Sequence, residues 1–188
     1  MVERKINMRV FIAIEFNNEV KEHIADIGYR INKYRIGGNY TPKDNLHMTI
    51  KFIGEVEKNS IKKIQSAMDK TVQSIPSFNI VLNNIGRFIQ RGKSLIWMGV
   101  SEGTQDLLAL HEALDNNLSV HGFPRDRRSF TPHITIGRKI NLKLPFNALE
   151  ENLDLEPMPA HIDSLTLMES TRVEGKLLYI PIYRSPLN

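Results

Sequence analysis

The stretch LHMTIKFIG, residues 46–54, and the stretch PHITIGR, residues 132–138, spell His-x-Thr-Ile twice in a chain of 188 residues. The two histidines, His47 and His133, stand close to half the chain apart. Each lies in an apolar, β-branched run next to loop-forming residues, so each motif reads as a strand. Successive side chains on a strand point to opposite faces. His47 and Thr49 therefore share one face, and so do His133 and Thr135. Leu46, Met48, Ile50 and Phe52 turn the other way into a core, as do Ile134 and Ile136.

The surroundings of the two motifs are alike. Residues 9–15, RVFIAIE, read as a buried strand, and Val20, Ile24, Ile27 and Ile31 set the spacing of an amphipathic helix over 17–36. Loop chemistry fills 37–45, and the first motif strand follows, ended by Gly54. A second helix is predicted over 57–74. Strands at 77–88 and 93–101 come next, with QRGK as the hairpin turn between them. Leu107, Leu110, Leu114 and Leu118 mark a third helix over 104–121. The loop 123–132 leads into the second motif strand, and two more strands are predicted at 162–170 and 176–184. Residues 139–161 show no clear period. Each half thus has a helix, a His-x-Thr strand and further strands. No low-complexity linker separates the halves. The pattern predicts an internally duplicated α+β protein: one domain over 1–188 made of two pseudo-symmetric lobes, each with one H-x-T-x motif, facing each other across a cleft.

Composition sets limits. Hydrophobic residues make up 41% and charged residues 24%, the balance of a soluble globular protein. The opening MVERKIN is polar and the apolar run behind it is broken by Glu15, so it reads as a strand and not as a signal peptide. No run is long enough for a membrane helix. A cytoplasmic protein away from membranes is expected. The absence of cysteine excludes disulfides, thiolate metal sites and cysteine nucleophiles. A formal charge of +4 tolerates an anionic partner without requiring one.

Two facing histidines and two threonines suit some chemistries and not others. Zinc asks for three or four N, S or carboxylate ligands, and neither motif holds a carboxylate. No G-x-S-x-G elbow and no glycine-rich phosphate loop occurs. Acid–base cleavage of a phosphodiester fits better. One imidazole takes a proton from water, the other protonates the departing alkoxide, and hydroxyls hold the non-bridging oxygens. A lone strand histidine is structural or at the surface in most proteins, and His23, His111, His121 and His161 read as helix, loop or surface residues.

The stretches NLHMTIKFIGE and TPHITIGR resemble the paired motifs of the two-histidine phosphoesterase superfamily. Within it they are most similar to the RNA 2′,3′-cyclic phosphodiesterases, long labelled 2′-5′ RNA ligases. MRVFIAIEF, SLIWMGV and LTLMESTRVEGKLLYIPIYRSPL resemble further strands of that family, so the resemblance covers nearly the whole chain. It implies a bilobed fold with two antiparallel sheets lining a central cleft and helices outside. It implies hydrolysis of an RNA or nucleotide 2′,3′-cyclic phosphate to a 2′-phosphomonoester, with no metal and no cofactor. By that match His47 is the proton donor to O3′, His133 is the proton acceptor, and Thr49 and Thr135 bind phosphate oxygens. Arg138 is a further phosphate ligand by the same match. Strict alternation, however, puts it on the face opposite His133 unless the strand bulges or ends after Gly137. Alternation puts Lys51 beside His47 as a second candidate cation. Arg125, Arg127 and Arg128 are loop cations near the site, and Tyr40, Phe88 and Phe130 are candidate base-stacking rings. Ligation of RNA ends through a 2′-5′ linkage and non-catalytic nucleotide binding are the alternative functions. The protein is expected to act as a monomer.

Overall fold

Asn17 begins the first helix. Its side chain accepts a 2.9 Å hydrogen bond from the Val20 N–H, which satisfies one of the free donors of helix α1, Asn18–Asn32. Val20, Ile24, Ile27 and Ile31 form the buried stripe of α1, as their spacing requires. The computed structural model describes residues 7–188; the polar opening, residues 1–6, lies outside them.

Strand β1, Asn7–Glu15, precedes α1. Strand β2, Arg35–Tyr40, and strand β3, His47–Glu57, follow it. Helix α2 spans Ile61–Val72, and β4, Phe78–Gln90, and β5, Lys93–Glu102, form a hairpin. Helix α3, Thr104–Val120, leads through a loop to β6, His133–Leu142. Helix α4, Phe146–Leu153, and strands β7, Met158–Ile162, β8, Ser164–Val173, and β9, Lys176–Pro186, complete the chain.

The strands run in the order β7-β4-β5-β6-β3-β1-β8-β9, every neighbouring pair antiparallel, with β2 added to β6. The two wings of this sheet meet at one residue pair, Met48 against Ile134. Both residues are 0% exposed and each stands next to a motif histidine. The two sheets expected from the sequence are therefore wings joined at a seam, and the motif strands β3 and β6 are the innermost strand of each. Strand, helix and motif strand recur in both halves, as β1-α1-β3 and as β5-α3-β6. The helices cross over: α1 packs against β6 and β7, whereas α3 packs against β3. Each motif strand is thus backed by the helix of the other half. Gly28 of α1 permits this, since a Cβ there would lie 3.3 Å from Ile136 of β6.

Two segments differ from expectation. The helix expected over 17–36 ends at Asn32, and residues 35–40, the end of that span and the start of the loop expected over 37–45, form β2 on the edge of β6. Gly38 allows the approach: its φ is 116°, and a Cβ would lie 2.8 Å from the backbone of Ile140. The unassigned stretch 139–161 contains the end of β6, all of α4 and most of β7. Helix α4 is only 8 residues long and buries two leucines, Leu149 and Leu153, too few for a helical period to stand out.

Candidate active site

His47 and His133 are held in the same way. His47 Nδ1 is 2.7 Å from the Asn45 carbonyl oxygen, and His133 Nδ1 is 2.7 Å from the Thr131 carbonyl oxygen. A carbonyl can only accept, so both Nδ1 atoms carry the proton and both Nε2 atoms are free to exchange one. His47 Nε2 lies 2.9 Å from Thr49 Oγ1, the i+2 partner that the strand places on the same face. Asn45 is itself buried and donates from Nδ2 to the Leu177 carbonyl at 2.9 Å, which anchors the turn that orients His47.

Aromatic rings frame both imidazoles. Phe11 and Tyr179 stand 4.9 and 5.0 Å from the His47 ring, Tyr179 edge-on. Phe88 and Trp97 stand 5.3 and 5.9 Å from the His133 ring. Burial among these rings disfavours the charged form and lowers both pKa values, that of His47 to about 4. The backbone hydrogen bonds oppose the shift, and the charge of Arg138 adds to it at both histidines.

A bulge decides which neighbours join the site. In β3, Ala13 pairs with Thr49 and Ile12 with Lys51, so Ile50 is an extra residue. In β6, Trp97 pairs with Thr135 and Ile96 with Gly137, so Ile136 is the extra residue at the equivalent place. One added residue reverses the alternation beyond it. Arg138 therefore faces the cleft, and it lines a cavity of about 570 Å³ with His47, Thr49, Phe11, Phe52 and Tyr179. The same reversal corrects two expectations. Phe52 is 52% exposed on the cleft side instead of in the core, and Lys51 is 3% exposed, away from any phosphate site. Lys51 pairs with Asp115 of α3 at 2.5 Å and with Asp126 at 2.9 Å.

The remaining candidates separate. Phe88 faces His133, and with Arg127 and Arg128 it lines a second cavity of about 750 Å³ that also touches Thr49. Phe130 lines this cavity too, stacked on His111 at 4.5 Å. Arg125 Nε is held by Asp115 at 3.3 Å. Tyr40 sits behind the sheet with Ile24, Gly28 and Ile136, so it is no base platform in the cleft. The residues that sequence reasoning missed are Phe11, Trp97 and Tyr179. Phe11 and Trp97 carried a signal, because they share a face with the motif residues beside them on β1 and β5. Tyr179 lies on the last strand and carried none. Among the described residues, no group of three or more histidines and carboxylates is placed to hold a metal ion.

The model of the 2′-5′ RNA ligase superfamily matches residues 20–174, both motif strands included. The chain belongs to this superfamily. Proteins that resemble this chain along its length include the RNA 2′,3′-cyclic phosphodiesterase of Thermotoga maritima, 34% identical over 94% of both chains. The Escherichia coli protein of that name is 26% identical over the same shares. The crystal structure of Escherichia coli LigT complexed with 3′-AMP superposes with a TM-score of 0.77, covering 97% of this chain and 99% of that one at 24% identity, and so shares the fold. In this superfamily member no helix among the described residues is long and apolar enough to cross a membrane.

Proposed function

We propose that this protein is a metal-independent phosphodiesterase that opens RNA or nucleotide 2′,3′-cyclic phosphates to 2′-phosphomonoesters. The observation that carries this is the matched pair of imidazoles. Both are fixed at Nδ1, Thr49 lines the cavity of each, and the charge of Arg138 acts on both. The names of the relatives point the same way.

The step balances with these groups alone. His133 Nε2 takes a proton from water as its oxygen bonds to phosphorus. The P–O3′ bond breaks, and Nε2–H of protonated His47 gives its proton to O3′. The product keeps phosphate on O2′ and gains a 3′-hydroxyl. Thr49, Thr135 and Arg138 donate to the non-bridging oxygens, where charge is retained through the transition state. Water attacks opposite O3′, so the ribose lies on the His47 side, where the 570 Å³ cavity is. An RNA 5′-hydroxyl replacing water would give the ligation reaction with the same acid and base. We take the 188 residues as one domain of two pseudo-symmetric lobes, acting as a monomer in the cytoplasm.

The free site is set for the base and not for the acid. With a pKa of about 4, His47 is almost wholly neutral at pH 7. A bound phosphate anion favours the imidazolium, so the substrate raises the pKa of the group that must donate. The kcat/KM profile, which reports the free protein, is therefore expected to peak below the ordinary imidazole value of about 6.5. The kcat profile, which reports the complex, extends to higher pH. A kcat/KM maximum above pH 7 would contradict this ordering.

Acid, base and phosphate donors are all side chains, so activity is expected to survive EDTA unchanged. Loss of turnover in EDTA, restored by one particular divalent ion, would overturn the mechanism. Incubation with an RNA ending in a 2′,3′-cyclic phosphate tests the activity itself.

A further inference from the structure

We propose that a basic groove beyond Arg138 binds the phosphodiester backbone of RNA upstream of the cyclic phosphate, so that the preferred substrates are RNA chains and not cyclic mononucleotides. This rests on the phosphodiesterase reading above.

The groove has a volume of about 690 Å³ and is lined by Gln90, Arg91, Lys93, Leu95, Arg138 and Lys139. Arg138 also lines the cavity at His47, so the two spaces share a wall. Ligand cavities of about 300–1,000 Å³ enclose a molecule of nucleotide size. The cavity at His47, about 570 Å³, is sufficient for the terminal nucleotide. The groove is surplus to a mononucleotide and has room for the chain that precedes it.

Its charge is of one sign. Four of its lining residues, Arg91, Lys93, Arg138 and Lys139, are cations, and none is a carboxylate. The cavity at His47 includes Glu55, and the one at His133 includes Asp126. Other cations have acidic partners: Lys43 pairs with Glu22, Lys51 with Asp115, and Arg184 with Asp163. Among the described residues, none of the four groove cations is in an ion pair. Clustered like charges repel, and a polyanion laid along them relieves that repulsion while releasing its own counterions.

The backbone makes the same point. Arg91 and Gly92 are the two-residue loop of the β4–β5 hairpin, with φ of 50° and 75°. A turn with both central residues at positive φ favours Asn, Asp or Gly at the first of them. Lys139 has φ of 56° and, with Arg138, forms a bulge opposite Leu95, since Ser94 pairs with Ile140 and Ile96 with Gly137. Four non-glycine residues among those described have positive φ, and two of them are cations of this groove. Local geometry disfavours arginine and lysine at these places, so folding does not account for the long cationic side chains. A ligand does.

The test compares native protein with the triple variant R91N/K93Q/K139N, which leaves Arg138 intact. Asparagine tolerates the left-handed backbone, so the variant should unfold at or above the native temperature. The substrates are a 2′,3′-cyclic mononucleotide and an RNA of about ten nucleotides with the same cyclic end, long enough to run along the groove. The expected result is a roughly tenfold or greater loss of kcat/KM for the RNA, mostly in KM, with the mononucleotide within twofold. The logarithmic salt dependence for the RNA should become shallower by about two, since each cation contributes about 0.7 on a single strand. Equal loss on both substrates, or loss on neither, would overturn the groove and leave the catalytic site standing. Failure of the native protein to turn over either substrate would overturn the underlying activity, and the groove's role with it.

Discussion

His133→Ala should hydrolyse a 2′,3′-cyclic phosphate about 10²–10⁴ times more slowly than the native protein while keeping its unfolding temperature. The imidazole is half-buried on the cleft face and accepts no strand or core role: the packing beneath it is supplied by Ile134 and Ile136. His47→Ala should lose a comparable factor. The two losses differ in how they respond to the substrate. A cyclic phosphate analogue with a nitrophenolate-like group at the scissile bond expels a weak base that needs no proton. It should restore most of the activity of His47→Ala and little of that of His133→Ala. The opposite pattern would exchange the roles of acid and base, and full activity in either variant on an ordinary substrate would end the two-histidine mechanism.

The second large effect is on stability. Lys51→Ala should cost about 3 kcal/mol in urea unfolding, the low end for removing one partner of a buried pair, because Arg125 and the Asp126 N–H stay on Asp115. The charge left behind is Asp115, whose side chain is 6% exposed. Burial pushes its carboxyl up, yet the hydrogen bond and charge of Lys51, with the Asp126 N–H and Arg125, hold it below the ordinary carboxylate value. The stabilisation tied to that depressed pKa is present at neutral pH and is lost as pH falls through the carboxylate range. Lys51 also donates to the Pro124 carbonyl at 3.0 Å and pairs with Asp126. It thereby ties β3 and α3 to the loop that delivers His133. Lys51→Met combined with Asp115→Leu should recover most of the loss, because the pair is replaced as a unit. A Lys51→Ala cost below about 1 kcal/mol would show that water compensates Asp115 and that the knot does not fix the loop.

How far the sequence could be read follows from which interactions are local. Alternation on two short strands was enough to put His47 with Thr49 and His133 with Thr135, and to turn Met48 and Ile134 into the core. It failed one residue past each motif. The bulges at Ile50 and Ile136 depend on how β3 pairs with β1 and how β6 pairs with β5, and no single strand announces its partner's register. The bulge at Ile50 turns Lys51 and Phe52 to the faces opposite those that alternation gives, and the equivalent bulge at Ile136 places Arg138 in the cleft. The crossing of α1 and α3 behind the opposite motif strands was equally out of reach, since an amphipathic stripe states that a helix buries one face but not against what. Loop readings erred where glycine hides a strand, as at Gly37 and Gly38 in β2. The aromatic frame of the histidines was half visible. Phe11 and Trp97 follow from the strands beside the motifs, whereas Tyr179 reaches His47 only through the order β1-β8-β9 of the finished sheet.

The central claim is that one imidazole of the cleft activates water while the other protonates O3′. The most direct measurement is phosphorus NMR of the product formed from an RNA ending in a 2′,3′-cyclic phosphate. A 2′-phosphomonoester is the expected sole product, formed at an undiminished rate in EDTA. A 3′-phosphomonoester, or an untouched cyclic end, would contradict it.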